Sequence, residues 1–238
     1  MAHLAYWLGF AASVAASWAA AGPRTAALTG LLWTLIGTLV VVVVPRAAHA
    51  AFERGGFGAA GWRYRALAWL SPSRARRAAA RVSVAACRLS AGDVAGGERE
   101  LGRVDERALD GAGRAAWLNN RAYAELVGGG DAARALTWAD EAQRLRPDVP
   151  GLVHTRGLAL LAAGRTDDAI RSFEAMWELG DLAPRLEAER CRDLARAWDA
   201  KGHRDYAADY RARAARLWPG AADVSPAPPP HLADEAAE

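Results

Sequence analysis

Cysteine occurs twice in 238 residues, at Cys87 and Cys191. Two thiols so far apart supply neither a disulfide framework nor the paired ligands of a zinc site, and both read as small buried side chains. Lysine occurs once, at Lys201. A basic complement that is otherwise all arginine is a mark of codon usage, not of chemistry. β-Branched residues are sparse outside one N-terminal run while alanine abounds, so the composition favours helix over strand. The five histidines show no HExxH spacing and no neighbouring Cys or carboxylate cluster, which excludes the common metal patterns. Lone His154 reads as a solvated side chain. Gly128-Gly129-Gly130 lacks the GxxxxGK[ST] frame and lies between helical patterns, so it reads as turn glycines, not a phosphate loop. Asp167-Asp168 and Glu187/Glu189 read as solvated helix charges, because acid–base carboxylates need burial. With no such constellation, the chain is expected to be a non-enzyme with no cofactor, no metal and no small-molecule substrate.

Charge is nearly absent from the first 44 residues, where only Arg24 is ionised. Ala26 to Val44, AALTGLLWTLIGTLVVVVV, has neither charge nor proline. As a helix it reaches about 28 Å, close to the hydrocarbon thickness of a bilayer, and predicts a transmembrane span. Leu4 to Ala21 is also uncharged but richer in alanine and serine, with Trp7 and Trp18 near its ends. It reads either as a first span, paired through Gly9, Ser13 and Ser17 over Gly30 and Gly37, or as a cleaved signal segment. Gly22-Pro23-Arg24 is the expected turn between two spans.

Eight arginines then crowd residues 45–81 against the single acid Glu53, whereas residues 82–238 are net acidic. Arginine just after a span places that side in the cytoplasm and anchors the protein in the plasma (inner) membrane. Arg46, Arg54, Arg74, Arg76, Arg77 and Arg81 are the expected contacts to lipid headgroups. Nucleic acid is not an expected partner, since no stacking aromatics interleave within the run Arg74 to Arg81.

Glycine breaks punctuate the rest: Gly55-Gly56, Gly92-Asp93, Gly130-Asp131, Gly164-Arg165 and Gly202-His203, at spacings of 37, 38, 34 and 38. Helical apolar patterns flank each break. One unit carries Asn119, Ala122, Tyr123 and Leu126, then Ala135, Ala139 and Ala142, then Pro147. The next carries Val153, Gly157, Leu160 and Gly164, then Ala169, Phe173 and Met176. The last carries Cys191, Leu194, Ala195, Trp198 and Gly202, then Ala207, Ala214 and Pro219. The longer spacings place an extra helical turn near 112 and 185. Trp138, Trp177 and Trp218 read as packing residues between helices.

A period near 34, small residues at mid-helix, a glycine turn, alanines on the second helix and a closing proline resemble the tetratricopeptide repeat family. The resemblance is close at 114–147 and 148–181, fair at 185–219, degenerate at 75–109 (Gly97, Arg81 and Arg88 depart from it) and partial at 47–72. The expected organisation is all-α: a membrane anchor at 1–45 with spans 4–21 and 26–44, a basic juxtamembrane segment at 46–74 holding the partial repeat, a solenoid of about four helix pairs at 75–219, and a disordered proline-rich tail at 220–238. In such a solenoid each unit is expected to touch only its neighbours.

The resemblance implies a protein or peptide partner held on the first helices. The implied groove comprises Val82, Ala86 and Leu89, then Trp117, Asn120, Ala124 and Val127, then His154, Leu158 and Leu161, with Arg192 and Arg196 at its far end. The carboxylate clamp that some members use on chaperone tails is missing, since Val82 and Ala86 stand at clamp positions and Arg121 replaces an asparagine. The implied role is a membrane-tethered interaction scaffold. The alternatives are an envelope assembly or maturation factor with the array outside the membrane, and a non-catalytic subunit of a membrane complex.

Overall fold

A computed structural model of the chain describes residues 2–71 and 73–219. The proline-rich tail, 220–238, lies outside the described residues. Every regular element among the described residues is a helix.

The alanine-rich start forms α1, Ala2–Ala21, and a turn at Gly22 leads into α2, Pro23–Thr38. Gly22 has a φ of 84°, open to glycine at no steric cost, and Pro23 suits the first position of a helix. The two helices pack as a hairpin. The Ser17 and Thr29 hydroxyls lie 2.9 Å apart, and the Thr25 hydroxyl donates to the Ser17 carbonyl at 3.2 Å. Gly30 faces Val14 and Phe10, and Gly9 faces Trp33, so small residues set the approach.

The second apolar helix does not end where the anchor was expected to end. Pro45 has no N–H to give and its ring presses on the carbonyl four residues earlier. The backbone answers with a π-helical turn over Leu39–Val43 and then continues as α3, Val44–Glu53. Pro23–Glu53 is thus one 31-residue helix, long and apolar enough to cross a membrane by length and composition. Leu28, Leu31, Leu32 and Leu35 on it are 56–65% exposed, an apolar surface the described residues leave uncovered.

From α3 onward the helices come in pairs. α4 is Phe57–Leu70, α5 Arg74–Ser90, α6 Val94–Gly102, α7 Gly111–Val127 and α8 Ala132–Leu145. α9 is Pro150–Ala162, α10 Thr166–Ala175, α11 Pro184–Ala200 and α12 Arg204–Leu217. The segment 47–72 is therefore a whole pair, its first helix shared with the apolar span. Every pair turns on a glycine with φ between 70° and 81°: Gly55, Gly92, Gly129, Gly164 and Gly202. The third turn uses Gly129, not Gly130. Behind each glycine the next N–H reaches back to the carbonyl five residues earlier, as Arg165 does to Leu160 at 2.9 Å, which satisfies a helix end. Asp93, Asp110 and Asp131 then cap the helices that follow them. The expected extra turn is present: α7 and α11 each have 17 residues against 13 in α9.

Alanine sets the packing. Ala122, Ala135, Ala139, Ala159 and Ala169 are fully buried and let the helices approach closely around Leu160, Phe173, Met176 and Leu194. Trp138 packs on this core with Arg121 over its ring. Trp177 instead is 55% exposed, with the guanidinium groups of Arg190 and Arg213 at 4.8 and 4.5 Å from its ring.

The array also curls back on itself. Arg185 at the start of α11 stands over the rings of Phe52 and Phe57, at 5.0 and 5.5 Å. Trp218 comes within 3.7 Å of the position a side chain on Gly55 would take. The first and fifth pairs therefore touch, which corrects the nearest-neighbour expectation. Small residues on the inner helices, Ala86 and Gly151 among them, permit the curvature that brings the ends together.

Candidate functional site

Because the ends meet, the inner helices α3, α5, α7, α9 and α11 all reach one open cavity of about 160 Å³. Its apolar lining comes from Phe52, Ala86, Leu89, Leu158 and Leu186, and its polar lining from Ser90, Asn119, Asn120, Tyr123, His154 and Thr155. Arg185 and Glu189 are joined as an ion pair beside it.

The polar groups are held from behind. Asn120 is buried and its amide donates to the Val82 carbonyl at 3.0 Å, which ties α7 to α5. His154 is buried too, with Nε2 2.8 Å from Asp193 Oδ2 and its ring 5.6 Å from that of Phe173. The expectation of a solvated histidine is corrected: α11 brings a carboxylate to it. Asp193 is fully buried, and burial alone would raise its carboxyl; the Arg196 charge and the His154 contact outweigh that and hold it below the ordinary aspartate value. Tyr123 is pushed up to about 12 by burial and then by Glu189 and Asp193, so its hydroxyl stays protonated and able to donate. Two groups are left open: Asn119 Oδ1 and Arg185 Nε are buried with no hydrogen-bond partner among the described residues. Both atoms are shut off from solvent, although both residues line the cavity.

The residues expected to form the groove divide into two groups. Ala86, Leu89, Asn120, His154 and Leu158 do meet in the cavity. Val82, Trp117, Ala124, Val127 and Leu161 do not line it. Leu161 is 5% exposed inside the main core, and Trp117 donates its indole N–H to the Leu101 carbonyl at 3.3 Å, between helix pairs. The face of α7 that looks inward is thus rotated by about one residue, onto Asn119 and Tyr123. Arg196 pairs with Asp193, and Arg192 is half-buried beside it in the chain. Asn119 was legible as part of the repeat pattern, but its inward direction was not.

A second buried charge cluster lies on α11. Glu187 accepts from Arg190 Nε and Nη2 at 2.7 and 2.8 Å, and Arg213 of α12 stands 2.8 Å away. The expectation that Glu187 is a solvated charge is corrected: it is buried against Arg190 and against Arg213 of α12. Cys87 and Cys191 are both buried and unbridged. No group of three or more metal-ligating side chains occurs among the described residues.

Of the arginines expected at headgroups, Arg46 opens α3 and Arg54 ends it, while Arg74, Arg76, Arg77 and Arg81 lie on the first half of α5. Arg46 is thus separated from Arg54 by the length of α3.

No protein-family model matches the chain, and no curated protein does. Among solved structures it is similar to TTC0263, a thermophilic TPR protein in Thermus thermophilus, at 20% identity and a TM-score of 0.58. That match covers 82% of this chain and 95% of the other. The crystal structure of MamA is similar at 17% identity and a TM-score of 0.45, over 71% of this chain and 93% of that one. Paired helices, glycine turns, alanine packing and the match in shape identify the fold of the array as a tetratricopeptide-repeat solenoid.

Proposed function

We infer that the chain is a membrane-anchored scaffold that holds a short extended segment of another protein in the cavity ringed by its inner helices. One observation carries this reading: five inner helices close on one small cavity whose apolar walls are interrupted by Asn119, Asn120, Tyr123 and His154. At about 160 Å³ the cavity is smaller than the roughly 300–1,000 Å³ typical of small-molecule sites, and suits an anchoring side chain with its flanking peptide groups. The exposed leucines on Pro23–Glu53 support a membrane anchor, since water is a poor solvent for such a surface. The arginine excess after the span supports an array on the cytoplasmic face. The reading requires neither cofactor nor catalytic group.

The test is a photoreactive benzoylphenylalanine at Asn119 in the full-length protein in its native membranes. Ultraviolet light should yield one discrete protein adduct. The same residue at exposed Glu178, after α10 on the outer layer, should yield none. Equal labelling from both positions, or none from Asn119, would remove the cavity as the binding site.

A further inference from the structure

We propose a second membrane contact: the C-terminal end of α4 and the first turn of α5 dock on an anionic bilayer surface, with Trp69 and Leu70 in the interface and Arg74 and Arg76 at the phosphates. The inference rests on the reading of Pro23–Glu53 as a membrane span.

The geometry follows from helix lengths. α3 continues the span without a break and carries the chain away from the membrane for 10 residues, about 15 Å. A tight turn at Gly55 sends α4 back along α3 for 14 residues, about 21 Å. The return is longer than the outward path. The end of α4 therefore comes down to the level of Val44, or slightly below it, where the apolar run ends.

The residues there fit an interface and not water. Trp69 is 84% exposed and Leu70 50%, although both close a helix whose other face is packed. An indole with its polar N–H is the side chain that membrane interfaces favour. Four residues later α5 begins with Arg74, Arg76 and Arg77 in its first turn. Arg74 and Arg76 are exposed and make no ion pair among the described residues. Arg77 donates to the Ser71 carbonyl at 2.8 Å, which fixes the corner between the two helices. Next to this corner, Arg65, Arg77 and Arg81 share a cavity of about 390 Å³ with Trp69, against a single acid, Glu100. The exposed aromatic together with Arg74 and Arg76 matches an anionic phospholipid surface. A span alone lets the array swing; a second contact beside it fixes the tilt and the side of the array that faces the cytoplasm.

The test uses the full chain in nanodiscs containing phosphatidylglycerol, with a nitroxide label on Trp69→Cys, since the native thiols are buried. Accessibility to oxygen and to a water-soluble nickel complex is compared with labels on Leu35→Cys and on Asp167→Cys of α10. The expected result is Leu35 in hydrocarbon and Asp167 in water, with position 69 severalfold less accessible to nickel than Asp167. Adding Arg74→Gln and Arg76→Gln, or using phosphatidylcholine alone, should raise nickel access at position 69. If position 69 matches Asp167 while Leu35 stays deep, the span stands and the second contact is wrong. If Leu35 itself lies in water, the anchor and this contact fall together. If position 69 is shielded regardless of charge, the assignment of the arginines to headgroups is wrong.

Discussion

Replacing Phe173 by alanine should destabilise the array by about 3–5 kcal/mol, the cost of emptying a large aromatic site in a core. Phe173 on α10 is fully buried in the main core and lies against α9 at Gly157. The site is built for it. A side chain on Gly157 would begin 2.4 Å from Phe173 Cε1, so glycine is what lets the ring lie against α9. Gly157→Ala therefore sets two effects against each other. Helix propensity gains about 1 kcal/mol, while forcing the ring out of a packed core costs about 1–3 kcal/mol or more. At 2.4 Å the second effect wins, and the variant should lose stability. Chemical denaturation of the full chain in detergent, followed by circular dichroism, measures both. A loss below about 1 kcal/mol for Phe173→Ala, or a gain for Gly157→Ala, would contradict the packing described.

The second large effect is at Glu187. Glu187→Leu leaves Arg190, which has no exposed surface, with only the Phe173 carbonyl at 3.3 Å and the face of Trp177. Removing one partner of a buried pair typically costs about 3–5 kcal/mol, because the charge left behind is neither solvated nor paired. The double variant Glu187→Leu with Arg190→Met should lose less than Glu187→Leu alone, since it strands no buried charge; Arg213, which also pairs with Glu187, keeps contact with water. The order reversed would mean the pair is not desolvated. The same cluster gives an acid limit. Burial alone would raise the Glu187 carboxyl, but Arg190 and Arg213 hold it below its ordinary 4.5. A depressed carboxyl contributes stability that is fully present above its unfolded value and lost as pH falls through the folded one. Wild-type stability should thus decline below about pH 4.5, and that decline should be shallower in the double variant.

The repeats were legible because they rest on local chemistry. A glycine forced to positive φ, an aspartate cap and a row of alanines each mark themselves within a few residues. The inward face of α7 was less legible. Along Ala115–Ala124 the large residues Trp117, Leu118, Arg121 and Tyr123 point around the whole helix, so its apolar pattern does not single out one inner face and Trp117 was placed there instead of Asn119. Glu187 was misread for a different reason, and Arg190 and Asp193 drew no notice for the same one. Charges on a helix look solvated until a distant element covers them, and α12 and His154 do so from outside the local sequence. Closure of the array was not legible at all, because curvature accumulates over five pairs and no single residue encodes it.

Closure is also what makes the cavity, so its direct test is the contact between Phe52 and Arg185. Benzoylphenylalanine in place of Phe52 keeps an aromatic ring over the guanidinium and reacts with C–H groups at contact distance. After irradiation of the full chain, peptide mass spectrometry should find an intramolecular link to the start of α11, around Arg185. Links confined to α4 and α5, with none to α11, would mean an open array and no enclosed site.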